Sequence, residues 1–101
     1  LHVAVWPGNR RNTEDITRFI AREGRSYVLS VCGTMHPDEV PAGTPHRDLM
    51  VRSAGGPWAD GGSCVAGPDG RWVVEPKTGG EVLIVAQLDL ARVREERQNF
   101  D

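Results

Sequence analysis

The sequence predicts an α+β fold (α/β in layer terms) in which a mixed β-sheet carries helices on one face. The first third of the chain has the pattern strand, amphipathic helix, strand, and such a unit needs a parallel crossover. Residues 63–75 are two β-rich runs around a tight turn, which predicts an antiparallel hairpin. At 101 residues the chain has the length of one domain. Because the helices cover one face, we expect another layer to cover the apolar second face.

Two short strands flank the first helix. Residues 2–6 are an apolar run that Pro7-Gly8-Asn9 stops, and residues 27–32 are a second run rich in β-formers. The stretch from Gly33 to Arg47 is polar and interrupted by prolines, which is typical of a long functional loop. Residues 48–51 predict a brief helical turn after it.

The first helix is predicted from its caps and its apolar spacing. Asn12 or Thr13 caps its start, and Gly24 is a natural stop. Its arginines are interspersed with acidic residues, which indicates a solvated face or a subunit contact. Apolar residues recur at i, i+3 and i+4, and this spacing predicts one inward face formed by Ile16, Phe19 and Ile20.

The hairpin turn is Gly67-Pro68-Asp69-Gly70, and its strands are predicted at residues 63–66 and 71–75. Lys77 is the only lysine and is expected to be a solvated residue of the next turn. Residues 81–88 predict a fifth strand. Its core is almost wholly apolar, which indicates burial on both faces as in a central strand.

A last helix is predicted at the end of the chain. Asp89 caps it, because its side chain can accept a hydrogen bond from the first turn. Leu90 and Val93 are expected to face inward, and the charged residues between and after them outward.

Composition and charge exclude several classes of function. Lys plus Arg number 12 and Asp plus Glu 14, so the formal net charge is −2, which argues against nucleic acid or an anionic membrane as partner. No apolar run approaches the roughly 18 residues of a membrane-spanning helix. Cys32 and Cys64 lie in apolar runs outside any C-x-x-C pair, which indicates buried free thiols in a reducing cytoplasm.

Four stretches in the same order and spacing, covering nearly the whole chain, resemble the nitrilase superfamily of carbon–nitrogen hydrolases. Residues 1–8 (LHVAVWPG) resemble the strand that follows the catalytic-cysteine region. Residues 18–30 (RFIAREGRSYVLS) resemble the family's helix and following strand. Residues 61–70 (GGSCVAGPDG) are similar to its G-G-S strand and P-x-G turn. Residues 81–90 (EVLIVAQLDL) are similar to its last strand and the Asp that starts the next helix.

The resemblance implies that residues 1–101 are one partial domain, the C-terminal portion of a carbon–nitrogen hydrolase domain. The complete family fold is a four-layer α-β-β-α sandwich, of which this chain would supply roughly half. The opening stretch leans toward nitrilases, so the implied parent activity is hydrolysis of a nitrile, or of an amide, to carboxylate and ammonia through a Cys thiol intermediate.

The resemblance also implies what the chain lacks and what it binds. The family's catalytic Glu, Lys and Cys lie before the stretches matched here, so we expect no catalytic residue in this chain and no activity from it alone. The implied partners are a small nitrile or amide and further subunits of a homodimer or larger homo-oligomer. No metal, organic cofactor, nucleic acid or membrane is implied.

The end of the first strand is the predicted site, since ligands of α/β proteins collect at strand ends. By resemblance, Trp6, Pro7 and Asn9 border the substrate pocket; on the residues alone, Trp6 is equally a core residue and Asn9 a turn residue. Glu23 falls on the apolar face of the first helix, where an unpaired carboxylate would be costly. The resemblance gives Glu23 a structural role near the site rather than a catalytic one.

Three alternative interpretations remain at this stage. His36 and His46 with Cys32 lack a recognised zinc spacing, so a solvated loop is expected there. A couple of His46 with Cys32 or Cys64 would make a small thiol hydrolase, although the apolar setting of both thiols argues against it. A non-catalytic α/β module, stable only through dimerisation or pairing with its missing half, follows from the uncovered sheet face.

Overall fold

The computed structural model describes residues 1–99. One mixed sheet of five strands forms its centre. The elements in chain order are β1 (His2–Trp6), α1 (Arg10–Gly24), β2 (Val28–Cys32), β3 (Thr34–Met35), a 3₁₀ turn (Pro37–Glu39), α2 (Arg47–Ser53), β4 (Ala59–Ala66), β5 (Trp72–Thr78) and α3 (Leu90–Gln98).

The sheet has the mixed topology that the sequence predicts. β1 pairs with β2 in parallel, from His2 opposite Val28 to Trp6 opposite Cys32, with α1 as the crossover. β2 and β5 both pair with β4 antiparallel. α1 packs on one face of the sheet, against β2, β4 and β5. The predicted fold class, an α+β chain with a mixed sheet, is therefore confirmed.

The long stretch after β2 is more ordered than a loop. β3 continues β2 in the same register against β4, since Val28 faces Ala66 and Met35 faces Ala59. A 3₁₀ turn follows, and then α2 covers the predicted helical turn. β4 begins at Ala59, earlier than predicted, because its first residues pair with β3.

The hairpin turn between β4 and β5 lies where it was predicted. Gly67 donates its N–H to the carbonyl of Arg71, and the side chain of Asp69 accepts from the N–H of the same Arg71. β5 runs on to Thr78, so Lys77 is a strand residue opposite Ser63 rather than a turn residue. The ladder is irregular near Lys77, where Pro76 has no N–H to donate.

Both ends of α1 differ from the prediction by a few residues. Asn9, not Asn12 or Thr13, is the N-cap, and its side-chain oxygen accepts from the N–H of Arg11 at 2.9 Å. Gly24 is the last helical residue, and Arg25 takes the left-handed cap conformation with φ of 49°. The guanidinium of Arg25 donates to the carbonyls of Glu96 and Asn99, and these bonds hold it in that conformation.

The inward face of α1 is polar, and the predicted face of Ile16, Phe19 and Ile20 is wrong. Ile16 is exposed and Phe19 is 64% exposed. Ile20 is only partly buried and packs against the margin of the core. Small residues fill the inward positions instead: Thr13, Thr17 and Ala21. Glu23 is also exposed, so it does not occupy the inward face that its spacing predicts.

The predicted fifth strand, residues 81–88, does not join the sheet. The segment runs across the second face, where Val82 and Ile84 lie against β2 and β4. Leu83 is 88% and Val85 84% exposed, so burial on both faces is wrong. Apolar composition favours burial, but a segment becomes a strand only when a neighbouring strand accepts and donates its backbone hydrogen bonds. No described strand does so for this segment. Leu90 is likewise exposed, whereas Val93 of α3 is buried as predicted.

A tyrosine hydroxyl joins the sheet to α3. Tyr27 is buried, and its hydroxyl donates to the carbonyl of Asp89 at 3.0 Å and accepts from the N–H of Asp89 at 3.2 Å. Asp89 in turn caps α3, because its side chain accepts from the N–H of Ala91. The hydroxyl therefore fixes the residue at which α3 begins.

We expect Tyr27→Phe to lower the free energy of unfolding by about 1–2 kcal/mol, because it leaves two backbone groups of Asp89 without their partner. Urea denaturation measures the loss. The control is Ser53→Ala, which removes an exposed hydroxyl bonded within α2 and should change stability by less than about 0.5 kcal/mol. Equal stability of Tyr27→Phe and the wild type would contradict the role of the hydroxyl.

Candidate functional site

The ring of Trp6 is held at the end of β1 by a chain of hydroxyl groups. Its Nε1 donates to the Oγ of Ser30 at 3.0 Å, and Ser30 Oγ lies 2.6 Å from Thr17 Oγ1. Thr17 donates onward to the carbonyl of Thr13 at 2.6 Å. Since Thr17 gives its proton to that carbonyl, Ser30 donates to Thr17 and accepts from Trp6. Each hydroxyl proton in this hydrogen-bonded series has an acceptor, so the half-buried indole of Trp6 is fixed relative to α1.

Both thiols join this buried polar layer. The Sγ of Cys64 donates to Thr17 Oγ1 at 3.7 Å, and the Sγ of Cys32 donates to Thr13 Oγ1 at 3.9 Å. Burial is the main cause that raises the pKa of the Cys64 thiol, and burial likewise raises the pKa of Cys32. A raised thiol pKa lowers the thiolate fraction and with it the nucleophilicity. Within residues 1–99 neither thiol contacts a histidine, so the environment is that of inert core cysteines.

Beyond the end of β1, the turn of Gly8 and Asn9 lies against the backbone of neighbouring strands. The N–H of Asn9 donates to the carbonyl of Gly61 at 2.7 Å. Gly8 is buried, and a Cβ built on it would lie 2.3 Å from the carbonyl oxygen of Gly33. A Cβ on Gly62 would lie 2.9 Å from the N–H nitrogen of Arg10. These backbone approaches place the start of α1 directly over β4.

An open cleft of about 570 Å³ lies beside this turn. Asn9 lines it with Arg10 and Arg11 from the start of α1, and Trp58 and Asp60 line it from the start of β4. Trp6 and Pro7 are not among its lining residues; Pro7 is exposed on the turn, and Trp6 points to Ser30. The structure thus brings one of the three predicted pocket residues to a cleft at the strand ends. Their role at the substrate pocket stays a prediction.

Two of the charged side chains that line the cleft, Arg10 and Glu14, are paired with each other. The guanidinium of Arg10 donates to both carboxylate oxygens of Glu14, at 3.1 and 3.2 Å. The hydrogen bond from Arg10 lowers the pKa of Glu14, and the same bond raises the pKa of Arg10. Neither group is therefore poised to transfer a proton near neutral pH.

Glu23 lies far from this cleft, near the other end of α1, roughly 20 Å along the helix axis. It lines a charged groove between α1 and α3, together with Arg22 and Arg92. Within the described part of the chain its carboxylate forms no hydrogen bond and no ion pair. The structural role that the resemblance implies for Glu23 stays a prediction.

The loop histidines do not form a site with acidic residues or thiols. Among residues 1–99, no group of three His, Cys, Asp or Glu side chains is close enough to hold a metal ion. The N–H of His36 is taken by the carboxylate of Glu39 at 2.8 Å, at the start of the 3₁₀ turn. His46 takes a left-handed conformation at the start of α2 and caps it with no side-chain bond.

The hydroxyl chain of Thr13, Thr17 and Ser30 was not foreseen from the sequence. Two signals for it exist: the threonines are spaced i and i+4 on one helix face, and Ser30 interrupts an otherwise apolar strand. Together they indicate a polar contact between helix and strand, since a buried hydroxyl must find a partner.

The fold and the site define a helix-backed mixed sheet whose thiols are structural and whose strand ends open into a cleft. The chain belongs to the carbon–nitrogen hydrolase family, whose model matches residues 12–98.

Three nitrilases are similar along nearly the whole chain. An arylacetonitrilase of Macrophomina phaseolina is 32% identical over 104 residues, which cover 99% of this chain and 29% of the relative. An aliphatic nitrilase of Sinorhizobium fredii is 29% identical, over 100% of this chain and 32% of the relative. An arylacetonitrilase of Fusarium vanettenii is also 29% identical. The chain therefore spans about 30% of the length of the relatives it matches. No solved structure matches it.

Proposed function

We propose that this chain corresponds to the C-terminal portion of a nitrilase-type hydrolase and supplies one helix-backed sheet of that enzyme. The parent reaction is hydrolysis of a nitrile, or of an amide, to a carboxylate and ammonia. The order of the four matched stretches and the names of the similar nitrilases support this proposal. In the parent enzyme, Trp6, Pro7 and Asn9 border the substrate pocket and Glu23 has a structural role.

One observation carries this assignment: both thiols contact hydroxyl groups rather than a base, and Cys64 is buried while Cys32 is half-buried. Nucleophilic catalysis by cysteine needs an accessible thiolate with a general base within hydrogen-bond reach. Cys64 is 1% exposed, and its sulfur contacts Thr17. We therefore propose that the nucleophile of the parent reaction is supplied from outside these residues, and the family resemblance implies the same for its base and its lysine.

We expect the 101-residue chain to release no ammonia above the blank from aliphatic and aromatic nitriles or amides. Cys32→Ser and Cys64→Ser are assayed beside the wild type, with an intact arylacetonitrilase as positive control for the assay. Ammonia release that one of the two serine variants abolishes would contradict the proposal. It would show that the chain is a compact thiol hydrolase with a relocated nucleophile.

A chimera tests the proposal in the positive direction. Residues 1–99 replace the matching portion of the Macrophomina arylacetonitrilase, which keeps its own remaining residues. We expect the chimera to hydrolyse nitriles measurably, because the family's catalytic residues lie outside the exchanged portion. A chimera that is folded by circular dichroism and yet inactive would contradict the proposed scaffold role.

We place the protein in the cytoplasm. Both cysteines are free thiols, the state that a reducing compartment maintains. Among residues 1–99, every helix is too short or too polar to cross a bilayer.

A second candidate function is association through apolar surface that the fold leaves open. The chain exposes 7051 Å², whereas a compact monomer of its mass exposes about 5,700 Å². Its radius of gyration is 16.9 Å, against about 13 Å for a compact domain of this length. Two apolar surfaces contribute: Ile16 and Phe19 outside α1, and the second face of the sheet with Val3 and Val5. Both surfaces fit a non-catalytic module that is stable only through dimerisation, as a homodimer or larger homo-oligomer, or through pairing with the rest of the parent enzyme.

A further inference from the structure

The turn at the end of β1 is held at both of its ends by side chains of α1 and β2. Trp6 and Asn9 are its first and last residues, and all three predicted pocket residues lie in it. The carbonyl of Asn9 accepts a hydrogen bond from Thr13 Oγ1 at 3.2 Å. The Nε1 of Trp6 donates to Ser30 Oγ at 3.0 Å. Thr17 bonds to both Thr13 and Ser30, so one polar network joins the two ends of the turn.

The hydroxyl of Thr17 fixes the direction of the hydrogen bonds in this network. A hydroxyl has one proton to donate and two lone pairs that accept. Thr17 gives its proton to the carbonyl of Thr13 and accepts from Cys64 Sγ at 3.7 Å. One lone pair remains, and Ser30 donates to it. Ser30 therefore presents its own lone pair to the indole N–H of Trp6.

A single acceptor is enough to decide which way the Trp6 ring faces. An indole carries one donor, at Nε1, and no acceptor. Rotation about χ2 moves that donor from one side of the ring plane to the other. The flipped ring would lose Ser30 as its acceptor, and a half-buried N–H without a partner is costly. The hydroxyl of Ser30 therefore selects one orientation of the ring.

Apolar packing alone does not call for this network. α1 also carries Ile16 and Phe19, which are 40% and 64% exposed, whereas its inward positions hold Thr13 and Thr17. Burying the larger apolar side chains would remove more apolar surface from water than burying hydroxyl groups. Positions where a sequence departs from the favourable packing pattern are typical of functional sites.

We propose that Ser30 is a positioning residue of the parent hydrolase, whose hydroxyl, oriented by Thr17, sets the orientation in which Trp6 borders the substrate pocket. This inference rests on the proposed function, which places Trp6 at that pocket. Ser30 is 2% exposed, so it acts on a substrate only through the indole. A ring that is oriented before the nitrile arrives does not have to be ordered when the nitrile binds, which favours binding.

The hydrogen bond itself is tested on the 101-residue chain. In nitrogen–proton correlation spectra, Trp6→Phe identifies the indole signal of Trp6 among those of the three tryptophans. We expect this indole proton to exchange with water at least about 10-fold more slowly in the wild type than in Ser30→Ala. Equal exchange rates would overturn the inference, because the hydroxyl would then not hold the ring.

The effect on substrate binding is tested in the chimera that carries residues 1–99 in the Macrophomina arylacetonitrilase, with phenylacetonitrile as substrate. We expect Ser30→Ala to raise KM about 10-fold and to leave kcat within about threefold, because the ring contributes to binding rather than to bond breaking. Thr17→Val removes the hydroxyl while keeping the shape of the side chain, and should raise KM in the same direction. Thr17→Ser keeps the hydroxyl and should leave KM within about twofold.

A double-mutant cycle separates positioning from a merely structural role. In the Trp6→Phe background the indole N–H is absent, so Ser30→Ala should change KM by less than about twofold. The same rise in KM in both backgrounds would show that Ser30 acts on the fold in general, and would overturn the inference. Circular dichroism checks that each variant is folded. If Ser30→Ala is not, Thr17→Val takes its place in the cycle.

The outcomes separate the inference from the proposed function on which it rests. A folded but inactive chimera with unchanged residues 1–99 would overturn both. An active chimera whose KM responds neither to Ser30→Ala nor to Thr17→Val would overturn the inference alone. A rise in KM that requires Trp6, together with slow exchange of the indole proton in the wild type, would establish it.

Discussion

Replacing Gly8 by alanine is expected to lower the free energy of unfolding by roughly 3–5 kcal/mol, enough to unfold much of a small domain. Gly8 is buried with φ of 127°, a conformation that side-chain-bearing residues rarely adopt. A Cβ there would lie 2.3 Å from the carbonyl oxygen of Gly33 and 2.8 Å from the Cβ of Ala59. The first of these contacts is with backbone, so relief requires the turn after β1 to move away from the sheet.

Such a movement would also affect the cleft at the strand ends. Asn9 follows directly, and it both caps α1 and donates to the carbonyl of Gly61. Gly8→Ala should therefore shorten α1 at its start and open the cleft, which amide exchange over residues 10–14 would detect. Chemical denaturation of the same variant gives the free energy of unfolding.

Gly24→Ala is the matched control for Gly8→Ala. A Cβ on Gly24 meets no atom within 4 Å, and the residue is helical. We expect alanine there to stabilise the protein by about 0.5 kcal/mol, because it has the better helix propensity. Equal effects of the two substitutions would show that the contact between the turn and Gly33 is unimportant for the fold.

Those parts of the fold that local chemistry decides were predictable from the sequence. β1 and β2 are apolar runs between turn residues, and the turn after β4 has the Asp-Gly pair that such turns favour. The N-cap of α3 was also predictable, because Asp89 is followed at once by helix-forming residues. The start of α1 was not, since Asn9 takes its place as N-cap through a backbone contact with Gly61, which is distant in sequence.

The inward face of α1 and the placement of residues 81–88 depend on packing against the sheet, which local sequence pattern does not reveal. The spacing of Ile16 and Phe19 indicates an inward face. The sheet surface beneath α1, however, carries Ser30 and Cys64, and both form hydrogen bonds with the small polar side chain of Thr17. The segment of residues 81–88 has the composition of a central strand, and composition does not reveal whether a partner strand is present. Part of the candidate site was predictable from the sequence, because Asn9 follows the end of a predicted strand. The hydrogen bond from Trp6 to Ser30 was not predictable, because it depends on how the two strands and α1 pack.

Native-state alkylation is expected to separate the two thiols by their burial. Cys64 is 1% exposed and Cys32 is half-buried, so Cys32 should react with iodoacetamide faster than Cys64. For Cys64 we expect a rate on the order of 100-fold below that of the urea-unfolded chain, because reaction requires the sheet and α1 to separate. Mass spectrometry of digested samples gives the rate at each cysteine. Equal rates at Cys64 in native and unfolded protein would contradict its place in the core.

The same burial makes stability depend on pH in a definite direction. Burial raises the pKa of Cys32 and of Cys64, so the folded protein favours the neutral thiols. Their contribution is fully present below the unfolded thiol pKa of about 8.5 and is lost as pH rises through the folded values. The free energy of unfolding should therefore fall as the pH rises above about 8.5.

The double variant Cys32→Ser and Cys64→Ser should reduce that fall, since serine does not titrate in the range and its hydroxyl can still donate to Thr13 or Thr17. Urea denaturation at each pH measures both proteins. If the double variant loses as much stability as the wild type over this range, the thiols are not the groups responsible.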